Sequence, residues 1–130
     1  MGQSSTAYHE PVQSLSSETR DLHRAIVSLQ EELEAVDWYN QRAEATAGEL
    51  RQILLHNMGE EMEHACMLLE WVRRNHPTFD QHLRTYLFSE GSISGLEDTQ
   101  SRESSTAVHN TESPGTKKQP AMTIGSLKGP

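Results

Sequence analysis

The sequence predicts an all-α protein: two long antiparallel helices and a short third, half of a four-helix bundle that a second copy must complete. Three observations predict it. Apolar residues recur three and four apart from Leu22 to Tyr39 and again from Leu50 to Trp71, which is the helical period. Only a few residues around Thr46 and Gly48 separate the two runs, so the second helix must fold back on the first. The helical pattern covers about 75 residues, and two helices with a fragment enclose no core of their own at that size.

Residues 1–13 read as a flexible polar leader: Gly2, Ser4, Ser5 and Thr6 follow no period, and Pro11 precedes the first helix. The half-bundle occupies residues 14–90. Its first helix is expected from about Ser16 to Ala45, with Ser14, Ser16 or Ser17 as the cap. Leu22, Leu29 and Val36 form one heptad row; Ala25, Glu32 and Tyr39 form the next. The second helix is expected from Glu49 to Asn75, where Arg73 and Arg74 suit the negative end of the dipole and Pro77 closes the run. Gly59 in its interior costs roughly 1 kcal/mol relative to alanine, and nothing in the sequence explains it. A short third helix from Thr78 to Ser89 gathers Phe79, Leu83, Tyr86 and Leu87 on one side, before Gly91.

From residue 91 to 122 the composition turns to Ser, Thr, Gly, Pro, Asn and Gln, which reads as a disordered linker. The last segment, residues 123–130, sets Ile124 and Leu127 three apart between glycines. Those two side chains suit two small pockets on a partner, although on physical grounds alone such a tail reads as inert.

Charge and composition exclude several functions. The formal net charge of −8 opposes nucleic acid and anionic membrane surfaces, and suits metal cations. Mean hydropathy is −0.70, and no apolar run approaches the length of a membrane span. Cys66 is the single cysteine, so no internal disulfide forms, as in a reducing compartment. No secretion signal is recognisable, and the chain reads as cytosolic.

The chemistry concentrates at Glu61 and His64. Three residues apart on a helix, they share one face with Leu50, Leu54, Leu68 and Trp71. Glu32 occupies an apolar slot on the first helix. Uncompensated charges on such stripes are costly, and a metal ion is the simplest neutralisation. Carboxylate and imidazole donors suit iron, manganese or zinc. One chain offers two carboxylates and one imidazole; two chains about a twofold axis offer the full ligand set of a dinuclear bundle site. Glu31 and Glu34 read either as solvated acids or as stepping stones that draw cations toward Glu32. His56, Glu60 and Glu63 read either as ordinary helix surface or as a hard-cation site. Trp38 and Tyr39 read as packing residues beside the Glu32 row, and Cys66 as a small buried one. Neither a Ser-His-Asp arrangement nor a phosphate-binding Gly-rich loop is present.

Several segments carry a family likeness: His23 to Ser28, Glu31 to Tyr39, Glu60 to Ala65, Leu69 to Trp71 and His82 to Phe88. The chain over residues 9 to 90 resembles the encapsulated ferritins, the ferritin-like cargo of bacterial encapsulin nanocompartments, and the likeness resumes at the C-terminus. The resemblance implies a ferroxidase that oxidises Fe2+ to Fe3+ with O2. Its di-iron centre would be held by Glu32, Glu61 and His64 of two chains in a ferritin-like bundle completed by dimerisation. It implies five such dimers in an open ring, a decamer. Glu31 and Glu34 would match the family's metal uptake site, with Trp38 beside it, and His56, Glu60 and Glu63 an inter-subunit site able to take Ca2+. Ile124 to Gly129 would be the peptide that docks on the encapsulin shell, placing the protein within a nanocompartment in the bacterial cytoplasm. Met58 and Gly59 depart from the polar helix formers expected there. The competing readings are a non-catalytic acidic module that sequesters metal, a helical adaptor with solvated acids, and a rubrerythrin-like peroxide reductase. The last is weakened by the want of paired cysteines.

Overall fold

In a computed structural model, which describes residues 7–107, the chain forms α1 (Ser17–Glu44), α2 (Gly48–Asn75), α3 (Pro77–Tyr86) and α4 (Ile93–Ala107), with no strand among the described residues. The fold is all-α, as the periodicity predicts. It divides between Ser89 and Glu90 into two compact units, and α4 belongs to the second.

Local chemistry sets each boundary of the first unit. Ser16 is the cap of α1: its backbone is extended and its hydroxyl oxygen accepts the Thr19 amide at 3.1 Å. Ahead of it the expected flexible leader is ordered in part. Val12–Ser14 form a single 3-10 turn, and Arg20 on α1 donates two hydrogen bonds to the Val12 carbonyl, at 2.7 and 3.1 Å. The Tyr8 ring stacks on His23 with centroids 4.2 Å apart. A guanidinium and one aromatic pair therefore pin the leader, neither of which shows as a period.

Gly48 opens α2 with φ of +69°, the left-handed region where only glycine is unstrained, and it turns the chain through the short 45–47 connection. Arg51, one turn into α2, donates to the Ala43 carbonyl at 2.9 Å, which also accepts the Thr46 amide at 3.4 Å, and so ties the start of α2 to the end of α1. The pairs Ala43–Arg51 and Glu32–His64 run in opposite sequence directions, so the hairpin is antiparallel. Each long helix has 28 residues, about 42 Å at the standard rise.

What the hairpin buries is small. Among the described residues the fully buried ones are Ala25, Ala43, Ala65 and Val72. Leu22, Leu29, Leu54, Leu55 and Leu68 are half-buried, whereas Leu33 and Leu50 are each 55% exposed and Met67 64%. Cys66 is exposed rather than buried, because one residue past Ala65 the helix has turned about 100° away from α1.

Pro77 begins α3 rather than merely ending α2, filling the first helical position where its missing N–H is no loss. The helix stops at Tyr86, short of the expected Ser89, and Phe88 follows with φ of +60° and a fully exposed ring. Arg73 ties α3 to α2. Its guanidinium bonds Glu70 on its own helix and reaches Asp80 of α3 at 2.5 Å, while Arg84 bonds Asp80 at 2.9 Å.

The second unit corrects the linker reading. Residues Ile93–Ala107 are helical. The Ser92 hydroxyl accepts the Gly95 amide at 3.2 Å, and the hydroxyls of Thr99 and Ser101 donate to carbonyls one turn back, at 3.1 Å each. Such a helix has no apolar stripe, so a search for apolar spacing passes over it. The remainder of the linker and the 123–130 segment lie outside the described residues.

Candidate metal centre

The hairpin brings Glu32, Glu61 and His64 together. One donor atom from each lies within 4.8 Å of the other two, the one such cluster of three among the described residues. Glu32 comes from the middle of α1, and Glu61 and His64 from one turn of α2. His64 Nδ1 is 3.3 Å from Glu61 Oε2 and 3.7 Å from Glu32 Oε2. Both carboxylates are three-quarters covered, while half of the imidazole faces solvent. The site is therefore a surface feature of one protomer, open on the side away from the hairpin.

The electrostatics favour a cation. The Glu32 and Glu61 carboxyl groups face each other within the cluster, where two negative charges repel. The neighbouring Glu61 carboxyl and partial burial raise the Glu32 pKa above the ordinary 4.5. Glu61 is lowered by its contact with Glu32, helped by His64. A divalent cation with oxygen and imidazole ligands fits this position, since it would neutralise both acids.

The other predicted residues stand apart from this cluster within one protomer. Glu31 and Glu34 are exposed on α1. His56 Nε2 meets Glu60 Oε1 at 3.0 Å, and Glu63 is exposed one turn on without joining a three-ligand group. Trp38 is 51% exposed and packs little within the protomer. It shares a shallow surface hollow with Gln41 and Arg42. Tyr39 is half-buried, with the Arg42 guanidinium 5.7 Å over its ring. Ile124 and Leu127 lie outside the described residues. The Glu70–Arg73–Asp80 bridge and the Arg51 cap are absent from the sequence-based expectation. The i, i+3 and i, i+4 spacings of Glu70 to Arg73 and Arg74, and of Asp80 to Arg84, are their visible signal.

A two-helix hairpin with an inward Glu on one helix and Glu-x-x-His on the other is one half of the carboxylate–histidine site of ferritin-like bundles. Residues 7–90 match the EncFtn-like family, and the chain belongs to that encapsulated-ferritin family. It is 49% identical over 130 residues to the "Encapsulated ferritin-like protein" of Rhodospirillum rubrum, covering 99% of this chain and 93% of that one. It is 56% identical over 92 residues to the "Ferritin-like protein" of Thermotoga maritima, over 70% and 81% of the two chains. Among solved structures, protein ne0167 from Nitrosomonas europaea is 61% identical with a TM-score of 0.64, over 66% of this chain and 96% of that one.

Proposed function

We propose that this protein is a ferroxidase whose reacting site is completed by a second copy of the chain. Two Fe2+ ions are the substrate, held between Glu32, Glu61 and His64 of two protomers, and O2 is the electron acceptor. Each Fe2+ gives up one electron and leaves as Fe3+. The protein's own residues supply four carboxylates and two imidazoles, which hold two like charges close and favour the higher oxidation state.

One observation carries this reading: the Glu32–Glu61–His64 cluster opens onto a surface with large exposed apolar side chains, in a chain of an encapsulated-ferritin family. A single protomer under-coordinates two metals, and Leu33, Leu50 and Met67 call for a cover. A twofold partner meets both needs. In the same reading five dimers form a ring, Glu31 and Glu34 feed iron inward beside Trp38, and His56, Glu60 and Glu63 hold a further cation such as Ca2+ between subunits. The Ile124–Leu127 tail docks the assembly inside an encapsulin shell in the bacterial cytoplasm, which stores the oxidised iron. The name of the Rhodospirillum rubrum relative supports the encapsulated setting.

The test is an anaerobic Fe2+ titration followed by air, recording ferric absorbance and oxygen uptake for wild type, Glu32→Ala and His64→Ala. The expected outcome is saturation near one Fe2+ per chain, with fast oxidation lost in both variants. Binding without oxygen uptake in the wild type would instead make the protein a passive metal buffer.

A further inference from the structure

The hinge between α2 and α3 is one residue, His76, with extended backbone at φ −137° and ψ 103°. Its imidazole caps α3. Nδ1 accepts the Phe79 amide at 3.5 Å, and the ring meets the Phe79 ring edge-on with centroids 5.3 Å apart. Histidine is an uncommon cap, and chemically a conditional one: Nδ1 accepts only while the imidazole is neutral and its proton sits on Nε2. A proton on Nδ1 sets one donor against another and puts a positive charge at the positive end of the helix. Phe79 is the third residue of α3, before the first in-helix bond, which runs from the Asp80 amide to the His76 carbonyl at 3.0 Å. Losing the side-chain cap therefore strips the Phe79 amide of its partner.

A second destination for the imidazolium lies nearby. His76 lines a cavity of about 330 Å³ with Glu18, Asp21 and Leu22 at the start of α1, and Trp71 and Asn75 at the end of α2. The charged groups around it are few. From α1 come Glu18 and Asp21, the latter bonded to Arg24 at 2.6 Å. From α2, Arg73 and Arg74 are engaged by Glu70, and from α3, Asp80 is engaged by Arg73 and Arg84. Glu18 is in no ion pair among these, and it is a carboxylate open to a new cation.

We propose that His76 is a pH-operated cap: neutral, it starts α3; protonated, it releases the Phe79 amide and turns across the cavity toward Glu18 and Asp21. The device loosens the first turn of α3, and with it the turn that presents Asp80 to Arg73.

The experiment uses the full-length protein and two NMR readouts between pH 7.5 and 5.5: the ring-nitrogen tautomer of His76, and amide exchange at Phe79 corrected for its intrinsic rate. Wild type is expected to show the Nε2–H tautomer at the upper pH, and Phe79 protection falling about fivefold at the lower, the factor a side-chain cap supplies. His76→Asn, which caps without titrating, is expected to hold its protection across the range, and His76→Ala to be low throughout. A flat Phe79 profile in the wild type, or the same fall in His76→Asn, would overturn the proposal.

Discussion

Gly48 is the residue on which the hairpin depends. At φ +69° a side chain meets no neighbouring atom within 4 Å, so the penalty for adding one is purely conformational. Gly48→Ala is expected to destabilise the protein by about 1 to 2 kcal/mol, the usual cost of a left-handed non-glycine residue, without altering the metal cluster. A denaturant midpoint compared with that of Gly59→Ala checks it. Gly59 also has open space around its α-carbon, and in a regular helix alanine is expected to stabilise by about 1 kcal/mol. Destabilisation at Gly59 would instead place that face of α2 against another chain.

At the scale of elements, α3 is held to α2 by charge. Arg73 and Arg74 depress the Glu70 carboxyl to about 2 from its ordinary 4.5, and Arg73 with Arg84 lowers Asp80 as well. A carboxyl depressed on folding adds stability that is complete above its unfolded value and lost as pH falls toward the folded one. The bridge should therefore hold above about pH 4.5 and fail on the way down to about 2. Thermal melts across that interval are expected to lose stability steeply in wild type. Glu70→Gln is expected to start lower at neutral pH and to fall less steeply. An equal slope in both proteins would show that other carboxyls govern the acid limb.

For the whole molecule, the governing fact is a hairpin that fully buries Ala25, Ala43, Ala65 and Val72 while Leu33, Leu50 and Met67 stay exposed. Small residues let the helices approach closely but remove little apolar surface from water. Two copies would also set four carboxylates against one another, which repel strongly without a cation between them. Metal and association are thus expected to be linked. Sedimentation under anaerobic conditions should show Fe2+ shifting wild-type protomers into even-numbered assemblies, and Glu32→Ala responding far less. Identical distributions with and without metal would separate assembly from the site.

The sequence by itself determined the helices and the chemistry of the site. The three-and-four spacing marked α1 and α2, the break at Gly48 made them antiparallel, and Glu32, Glu61 and His64 stood out as polar residues in apolar slots. Those features are local or periodic, and a chain displays them without being folded. Only the tertiary structure decided which apolar residues are covered, because Leu50 and Trp71 share the face read as apolar in α2 and are nonetheless exposed. It alone joined Arg20 to Val12, Arg51 to Ala43 and Arg73 to Asp80, contacts seven or eight residues apart across turns of no fixed geometry. It also revealed α4, whose hydroxyl-to-carbonyl bonds leave no hydrophobic trace. Periodicity records what a helix turns toward the core; what ties elements together at their ends depends on where the chain has folded.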